Sequence, residues 1–234
     1  LTYAINENRH FVDVLGITYK PNGNVMTNGF RPLIEDIDAL PYQAIHLIEH
    51  EKMKYWSPKL GVRPIAAMIT SRNCPYNCIY CVPCSHSFAR ELEYRRFFNQ
   101  KPPVRKMSPE RVLGEVDMLV KNGYKAIAFQ DDLFVMGKQR TIDICNGLKK
   151  YSLIWGCSTR ADTIDEETVK AMAGSGCRYI GLGIESFNKE ILADIKKEMD
   201  VGCIKPAVEI IRKYGIKAKV NVLLGASRFE STDT

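Results

Sequence analysis

The sequence predicts an α/β fold in which parallel strands alternate with helices. Three observations carry this prediction. Short apolar runs with the length of buried strands recur between residues 64 and 224. Amphipathic segments with a helical period lie between these runs, and three of the segments end at a glycine. Strands joined by helices of this length pair in parallel through right-handed crossovers, so we expect helices to cover the sheet.

The elements follow one another in a regular order. Strands are predicted at residues 64–70, 125–129, 153–158, 178–183 and 217–224. The first helix begins with Ser108 as its N-cap and Pro109 at its first position, and it ends at Gly123. Further helices are predicted at residues 141–150, 165–172 and 206–214. Five strands in this order fit a doubly wound open sheet or part of a (β/α) barrel, and periodicity does not separate the two.

The first quarter of the chain has a different character. Residues 1–63 lack a strong period, and prolines interrupt them. We expect an irregular linker here, the tail of an upstream domain, followed by a core at residues 64–234. Within the linker, an extended stretch at residues 11–19 and turn residues at 21–24 predict a hairpin that closes onto residues 25–26. Because the sequence starts with Leu1 and stops at Thr234 just after an apolar run, we expect it to be a piece of a longer protein.

Composition excludes several classes of protein. Among 234 residues, 45% are hydrophobic and 26% charged, which rules out a disordered chain, a collagen-like repeat and a small disulfide scaffold. The net charge of +6 is scattered, so nucleic acid is not an expected partner. The apolar runs are far shorter than the ~20 residues that span a bilayer. These features predict a soluble cytoplasmic protein.

Eight cysteines are present, and four of them fall within eleven residues after the first predicted strand: Cys74, Cys78, Cys81 and Cys84. The carboxyl end of a strand is where α/β folds place their chemistry. Structural zinc normally uses two cysteine pairs set well apart, and the bacterial ferredoxin spacing also differs from this one. The group predicts a metal site, with an iron–sulfur cluster as its leading form. The other cysteines are expected to be structural.

The spacing Cys74-x3-Cys78-x2-Cys81, with the aromatic Tyr80 before the last cysteine, resembles the signature loop of radical S-adenosylmethionine (SAM) enzymes. Residues 68–81 are similar to the members that carry an upstream cobalamin-binding domain, although Asn73 stands where glycine is expected. The resemblance implies a partial (β/α) TIM-like barrel whose last strand follows residue 234. It also implies that the three thiolates hold a 4Fe–4S cluster whose open iron binds SAM.

The resemblance assigns residues near strand ends to SAM binding: Tyr80, Asp131, Asp132, Arg160, Glu185, Ser186 and Leu224. The two aspartates would face the methionyl ammonium, and one of them is expected to be an ordinary loop or capping acid. The arginine would pair with the SAM carboxylate or stabilise charge nearby. The glutamate and serine would reach the ribose, and the leucine would lie against adenine. Cys84 is then surplus, and we expect it to neighbour the loop without ligating.

The function implied by the resemblance is reductive cleavage of SAM to methionine and a 5′-deoxyadenosyl radical. An external donor such as flavodoxin or ferredoxin would supply the electron. By analogy with cobalamin-linked relatives, the outcome is methylation or oxidative cyclisation of a small-molecule substrate, with cobalamin held by a domain outside this chain. The alternatives are an iron–sulfur electron-transfer module, a transfer-RNA methylthiotransferase-type radical SAM enzyme, and a zinc-stabilised RNA-binding or scaffold domain.

Overall fold

A computed structural model describes residues 1–81 and 88–231, with side chains from residue 91 onward in the second range. The described chain divides into two compact units. The smaller unit comprises Leu1–Glu35 and His86–Pro102, and the larger comprises Asp36–Ser85 and Pro103–Thr234.

The smaller unit contains helix α1 (Thr2–Asn6), strands β1 (Thr18–Tyr19) and β2 (Met26–Thr27), and helix α2 (Phe88–Phe98). The predicted hairpin is present, because β1 and β2 pair antiparallel around the turn at Pro21–Gly23. The strand prediction was wrong at Phe11–Asp13, which forms a 3₁₀ turn. Helix α2 was not predicted. Phe30 contacts three of its aromatic rings at centroid distances of 5.2–5.9 Å.

The larger unit contains, in chain order, the strands β3 (Ile65–Met68), β4 (Ser71–Arg72), β5 (Arg105–Lys106), β6 (Ala126–Phe129), β7 (Ile154–Arg160), β8 (Cys177–Glu185) and β9 (Lys217–Val222). Its helices are α3 (Pro109–Lys121), α4 (Lys138–Leu148), α5 (Glu166–Gly174), α6 (Lys189–Asp194) and α7 (Ile204–Lys213). All the strands predicted for the core are therefore present. Helix α6 was not predicted, and it is short.

The main sheet has the strand order β3-β6-β7-β8-β9, and every neighbouring pair is parallel. Each described strand thus lies beside the next strand of the sheet in sequence, with no reversal of order. A doubly wound sheet reverses its order at a switch point, whereas a (β/α) barrel does not. The topology is that of a partial (β/α) barrel, and it confirms the fold class predicted from the sequence.

The helices cover one face of this sheet. In α3 the residues Val112, Val116 and Leu119 are fully buried, as their spacing predicts for one face of a helix. Ser108 caps α3 by accepting a 3.1 Å hydrogen bond from the backbone N–H of Arg111, which confirms the predicted helix start. Replacing a large buried aliphatic side chain by alanine typically lowers the unfolding free energy by about 2–5 kcal/mol.

The segment before β3 lies along helix α3. Asp38 accepts hydrogen bonds from the backbone N–H of Ser108, at 2.9 and 3.2 Å. The buried guanidinium of Arg111 donates to the carbonyls of Asp38, Leu40 and Pro41. These contacts tie residues 38–41 to the first turn of α3. Within residues 1–81 and 88–231, no helix combines the length and apolar character that a bilayer span requires.

Candidate functional site

The cysteine loop, defined here as residues 73–81, follows β4 at the carboxyl end of the first barrel strand. It begins with Asn73 at φ +69°, in the left-handed region of backbone space. Glycine enters this region without steric cost, and asparagine is among the few other residues that do so readily. The geometry therefore explains why asparagine can replace the glycine expected from the resemblance.

Asp131 fixes the base of the cysteine loop. Its side chain is 5% exposed, and Oδ1 accepts hydrogen bonds from the backbone N–H and hydroxyl of Thr70, each at 3.0 Å, and from the hydroxyl of Ser71. Arg140 donates to the carbonyl and hydroxyl of Thr70, at 3.1 and 3.0 Å. Asp131 thus contacts the chain that leads into the loop, while Asp132 beside it is half-buried.

The pKa of the Asp131 carboxyl is raised because burial penalises its charged form, although the hydrogen bonds from Ser71 and Thr70 act in the opposite direction. The other carboxylate oxygen, Oδ2, has no donor among the described residues. A proton on this oxygen would relieve the cost of the buried charge. The native state therefore holds this proton at pH values where the unfolded chain has already lost it.

Protonation of Asp131 in the folded state predicts how the unfolding free energy depends on pH. Since the folded pKa lies above the ordinary carboxyl value of ~4, Asp131 stabilises the fold fully below that value and loses this contribution as pH rises through the raised pKa. We expect Asp131→Asn to remove this part of the pH dependence of the unfolding free energy, measured in urea between pH 4 and 8. The matched variant Asp143→Asn should retain the wild-type slope. An unchanged slope in Asp131→Asn would show that the carboxyl is ionised throughout.

Arg160, at the end of β7, holds the middle of the cysteine loop. Its Nε and Nη2 donate to the two carboxylate oxygens of Asp162, at 2.9 and 2.6 Å. Further N–H groups donate to the carbonyls of Lys197 and Glu198, at 2.9 and 2.8 Å. The guanidinium carbon lies 3.6 Å from the centroid of the Tyr76 ring. Four of its five N–H donors therefore bind protein atoms, and the arginine joins the loop to the strand ends.

Lys197 holds the end of the cysteine loop. Its Nζ donates to the hydroxyl of Tyr80 and to Oε1 of Glu185, both at 3.2 Å, and the lysine is only 4% exposed. Burial raises the pKa of Tyr80 far above its usual value, and the nearby Glu185 and Cys78 add to this effect, so the phenol stays neutral. A side chain at Gly183 would crowd the ion pair, since a Cβ there would lie 3.0 Å from the glutamate and 3.3 Å from the lysine.

The remaining predicted residues lie at the same edge of the sheet. Ser186 is half-buried, and its hydroxyl accepts a 3.1 Å hydrogen bond from the backbone N–H of Asn188. Leu224 follows β9 and is 81% exposed. The backbone N–H of Leu223 donates to the carbonyl of Glu185 at 2.9 Å, which ties these two strand ends together. The structure thus brings Tyr80 and Glu185 into one cluster, while Asp131 binds the segment that leads into the loop and Arg160 stacks on Tyr76 within it.

The cysteine loop fits an iron–sulfur cluster in its donor chemistry. Cys74 and Cys78 are half-buried and Cys81 is exposed, so all three thiols are accessible. Thiolates are the ligands that iron–sulfur clusters use. In the described part of the chain, no three His, Cys, Asp or Glu side chains already converge on a metal position, so the loop would have to close around its metal. Cys84 lies outside the described residues.

The cysteines outside the loop have a different environment. Cys145, Cys157 and Cys177 are buried, and burial raises the pKa of each thiol, to about 11 for Cys145. Such thiols are poor ligands and nucleophiles because the thiolate is scarce. Cys203 is half-buried. Within the described residues, no cysteine forms a disulfide.

Two residues of this site were not found from the sequence. Lys197 follows Lys196 directly, and a pair of lysines after a helix usually indicates a solvated surface. Tyr76 lies between two cysteines, but nothing local indicates that its ring stacks on an arginine 84 positions later. A buried lysine and a stacked tyrosine depend on contacts between distant segments, so neither leaves a pattern in the sequence.

Comparisons with known proteins agree with this geometry. The model of the Radical SAM superfamily matches residues 68–228. The chain is 33% identical over 228 residues to the "uncharacterized methyltransferase PH0819" of Pyrococcus horikoshii, an alignment that covers 96% of this chain and 46% of the relative. The chain therefore spans less than half the length of that relative.

Two solved structures share the fold. One is the cobalamin-dependent SAM radical enzyme OxsB, with a TM-score of 0.72 and 21% identity, covering 92% of this chain and 30% of that one. The other is the radical SAM methyltransferase TsrM from Kitasatospora setae, with a TM-score of 0.66 and 14% identity. This match covers 94% of this chain and 42% of that one. Since the family model matches more than two thirds of the residues and the parallel sheet has the expected strand order, this chain belongs to the radical SAM superfamily.

Proposed function

We propose that this chain is the catalytic core of a radical SAM methyltransferase in which Cys74, Cys78 and Cys81 hold a 4Fe–4S cluster. The main support for this proposal is the cysteine loop. It presents three accessible thiols at the carboxyl end of β3, and separate contacts from other strand ends hold its base, middle and end. Closing of this loop around a cluster would bring the three thiolates together. With three protein ligands, one iron would stay open to SAM.

The neighbouring residues support SAM binding at the same edge. When bound, the cluster supplies the electron that cleaves SAM reductively. Lys197 uses two of its N–H groups on Tyr80 and Glu185, and we propose that the third binds the SAM carboxylate. Asp132 is the acid that would face the methionyl ammonium, because Asp131 binds Thr70 and Ser71.

The other predicted residues would complete the cofactor site. Glu185 and Ser186 would bind the ribose hydroxyls, and the exposed side chain of Leu224 would cover one face of adenine. Arg160 would act by holding the cysteine loop and stabilising charge nearby. The resulting site would lie at the carboxyl edge of the parallel sheet, and radical chemistry there would require water and other hydrogen donors to be kept away.

Methylation is the outcome that we favour over cyclisation. The relative that is 33% identical is named a methyltransferase. Residues 68–81 resemble members with an upstream cobalamin-binding domain, so we propose that cobalamin carries the methyl group from a part of the protein outside this chain. The substrate would be a small molecule. A flavodoxin or ferredoxin would supply electrons, and the accessible thiols suit the reducing conditions of the cytoplasm.

The test of this function is anaerobic reconstitution with iron and sulfide, followed by electron paramagnetic resonance of the reduced protein with and without SAM. We expect a reduced 4Fe–4S signal whose g values shift when SAM is added. Adenosine is the matched control, since it lacks the amino and carboxylate groups that would bind the open iron, and it should leave the signal unchanged. A signal indifferent to SAM would instead indicate an electron-transfer module. Zinc bound by all four clustered cysteines would overturn the proposal.

A further inference from the structure

We propose that the side-chain amide of Asn73 donates a hydrogen bond to a sulfur of the iron–sulfur cluster and thereby raises the reduction potential of that cluster. This inference rests on the proposed function, because it requires a cluster on the cysteine loop. It assigns a role to a residue that stands in a position where the resemblance leads us to expect glycine.

The backbone at Asn73 places this side chain next to the first ligand. The residue directly precedes Cys74, its φ is +69°, and it is only 2% exposed. Glycine would satisfy the same backbone geometry at no steric cost. An asparagine here therefore adds a buried amide beside a cluster ligand, and a buried amide needs hydrogen-bond partners.

Arg105 determines which way the amide is turned. Its Nη2 donates a 3.1 Å hydrogen bond to Oδ1 of Asn73. A guanidinium only donates hydrogen bonds, so the atom that faces it must be the amide oxygen and not the nitrogen. Arg105 itself lies on β5, where it pairs with Arg72 of β4, so its position is fixed by a backbone ladder. The Nδ2 group of Asn73 consequently points away from Arg105.

This Nδ2 group is buried and finds no acceptor among the residues that the structure describes. Leaving a buried donor unsatisfied typically costs about 1–3 kcal/mol, so we expect this donor to find an acceptor beyond the described residues. A cluster held by Cys74 brings negatively charged thiolate and sulfide sulfurs next to this donor. A hydrogen bond to such a sulfur stabilises the reduced cluster, which carries one more negative charge, and so raises the reduction potential.

A second occupant has to be distinguished from the cluster. Oδ2 of Asp131 is also buried without a partner among the described residues, and an ordered water between Asn73 and Asp131 would satisfy both groups. Such a water would be a structural feature of the loop base and would not act on the cluster. The two possibilities differ in one measurable quantity, the reduction potential.

The experiment is an anaerobic redox titration of the reconstituted cluster without SAM, read by electron paramagnetic resonance, for wild type, Asn73→Gly and Asn77→Gly. Asn77 is the matched control, since it lies in the same loop but is exposed. We expect Asn73→Gly to bind a full cluster and to shift the midpoint to a more negative value. At the wild-type midpoint potential, we expect the ratio of reduced to oxidised cluster to fall at least tenfold. This fall corresponds to a shift of about 59 mV for a one-electron couple. Asn77→Gly should keep the wild-type midpoint.

A midpoint in Asn73→Gly equal to wild type would overturn the inference and favour the bridging water. If Asn73→Gly binds no iron, the variant Arg105→Met decides, because it keeps the amide but removes the group that orients it. Because Arg105→Met also removes a positive charge, Arg72→Met is its control: it removes a charge from the paired position of β4 and leaves Arg105 in place. A more negative midpoint in Arg105→Met than in Arg72→Met would support the proposal, and equal midpoints would overturn it. A failure of the proposed function is recognised separately, because the wild-type protein would then show no SAM-sensitive cluster signal at all.

Discussion

Replacing Cys74, Cys78 or Cys81 by alanine should lower the iron content of the reconstituted protein from about four atoms per chain to less than one. With one of three ligands missing, two thiolates and an open loop cannot retain a cubane cluster. The folded state should change little, because these side chains are exposed or half-buried and contribute little to the core. We expect the unfolding free energy of the apoprotein to stay within about 1 kcal/mol of wild type. Iron and sulfide analysis together with urea unfolding measures both quantities.

Two controls make this experiment specific. Cys203→Ala is matched in exposure to Cys74 and Cys78, but it lies outside the cysteine loop, so the cluster should remain. Cys84→Ala tests the prediction that the fourth clustered cysteine is surplus, and its iron content should equal that of wild type. If Cys84→Ala loses the cluster as completely as the other three variants, a fourth protein ligand closes the last iron. That outcome would contradict SAM binding at the cluster.

Much of the fold could be predicted from the sequence because its signals are local. The strands of the main sheet are short apolar runs. The start of α3 is indicated by the N-cap Ser108 and by Pro109 at its first position. Helix α6 was missed because it has only six residues, too few for a helical period to stand out. Helix α2 was missed because its hydrophobic residues do not form one stripe. Strand order, in contrast, is a property of the assembled sheet, and only the structure distinguishes a barrel from an open sheet.

The candidate site could be predicted in position but not in the function of each residue. The cysteine spacing indicated the metal loop, and the strand-end rule placed Asp131, Arg160 and Glu185 at one edge. The contacts at this edge join residues that lie far apart in sequence. Asp131 binds Thr70, 61 positions earlier, and Lys197 binds Tyr80, 117 positions earlier. Contacts over such distances leave no periodic or local signal. The sequence therefore did not indicate that Asp131 binds the segment before the cysteine loop or that Arg160 stacks on Tyr76. The SAM contacts expected of these residues stay predictions.

Replacing Arg160 by alanine should destabilise the apoprotein by about 2–4 kcal/mol. The change leaves the carboxylate of Asp162 and two backbone carbonyls without their donors, and it removes the guanidinium from the Tyr76 ring. Removing one partner of a fully buried ion pair typically costs about 3–5 kcal/mol. The expected cost extends below that range because Asp162 keeps some contact with water. Urea unfolding of the apoprotein measures this effect without any cofactor.

The variants Arg160→Lys and Arg160→Ala separate holding the loop from binding SAM. Lysine keeps the positive charge but cannot make the paired bonds to Asp162 or stack flat on Tyr76, so its stability should lie between that of the alanine variant and wild type. A residue that mainly binds the SAM carboxylate would behave differently: the alanine variant would be as stable as wild type without SAM, and only SAM affinity would fall. Because four of the five donors of Arg160 already bind protein atoms, we expect the loss to appear first in the apoprotein. The same variant should then bind less iron, since Tyr76 lies between the first two cluster ligands.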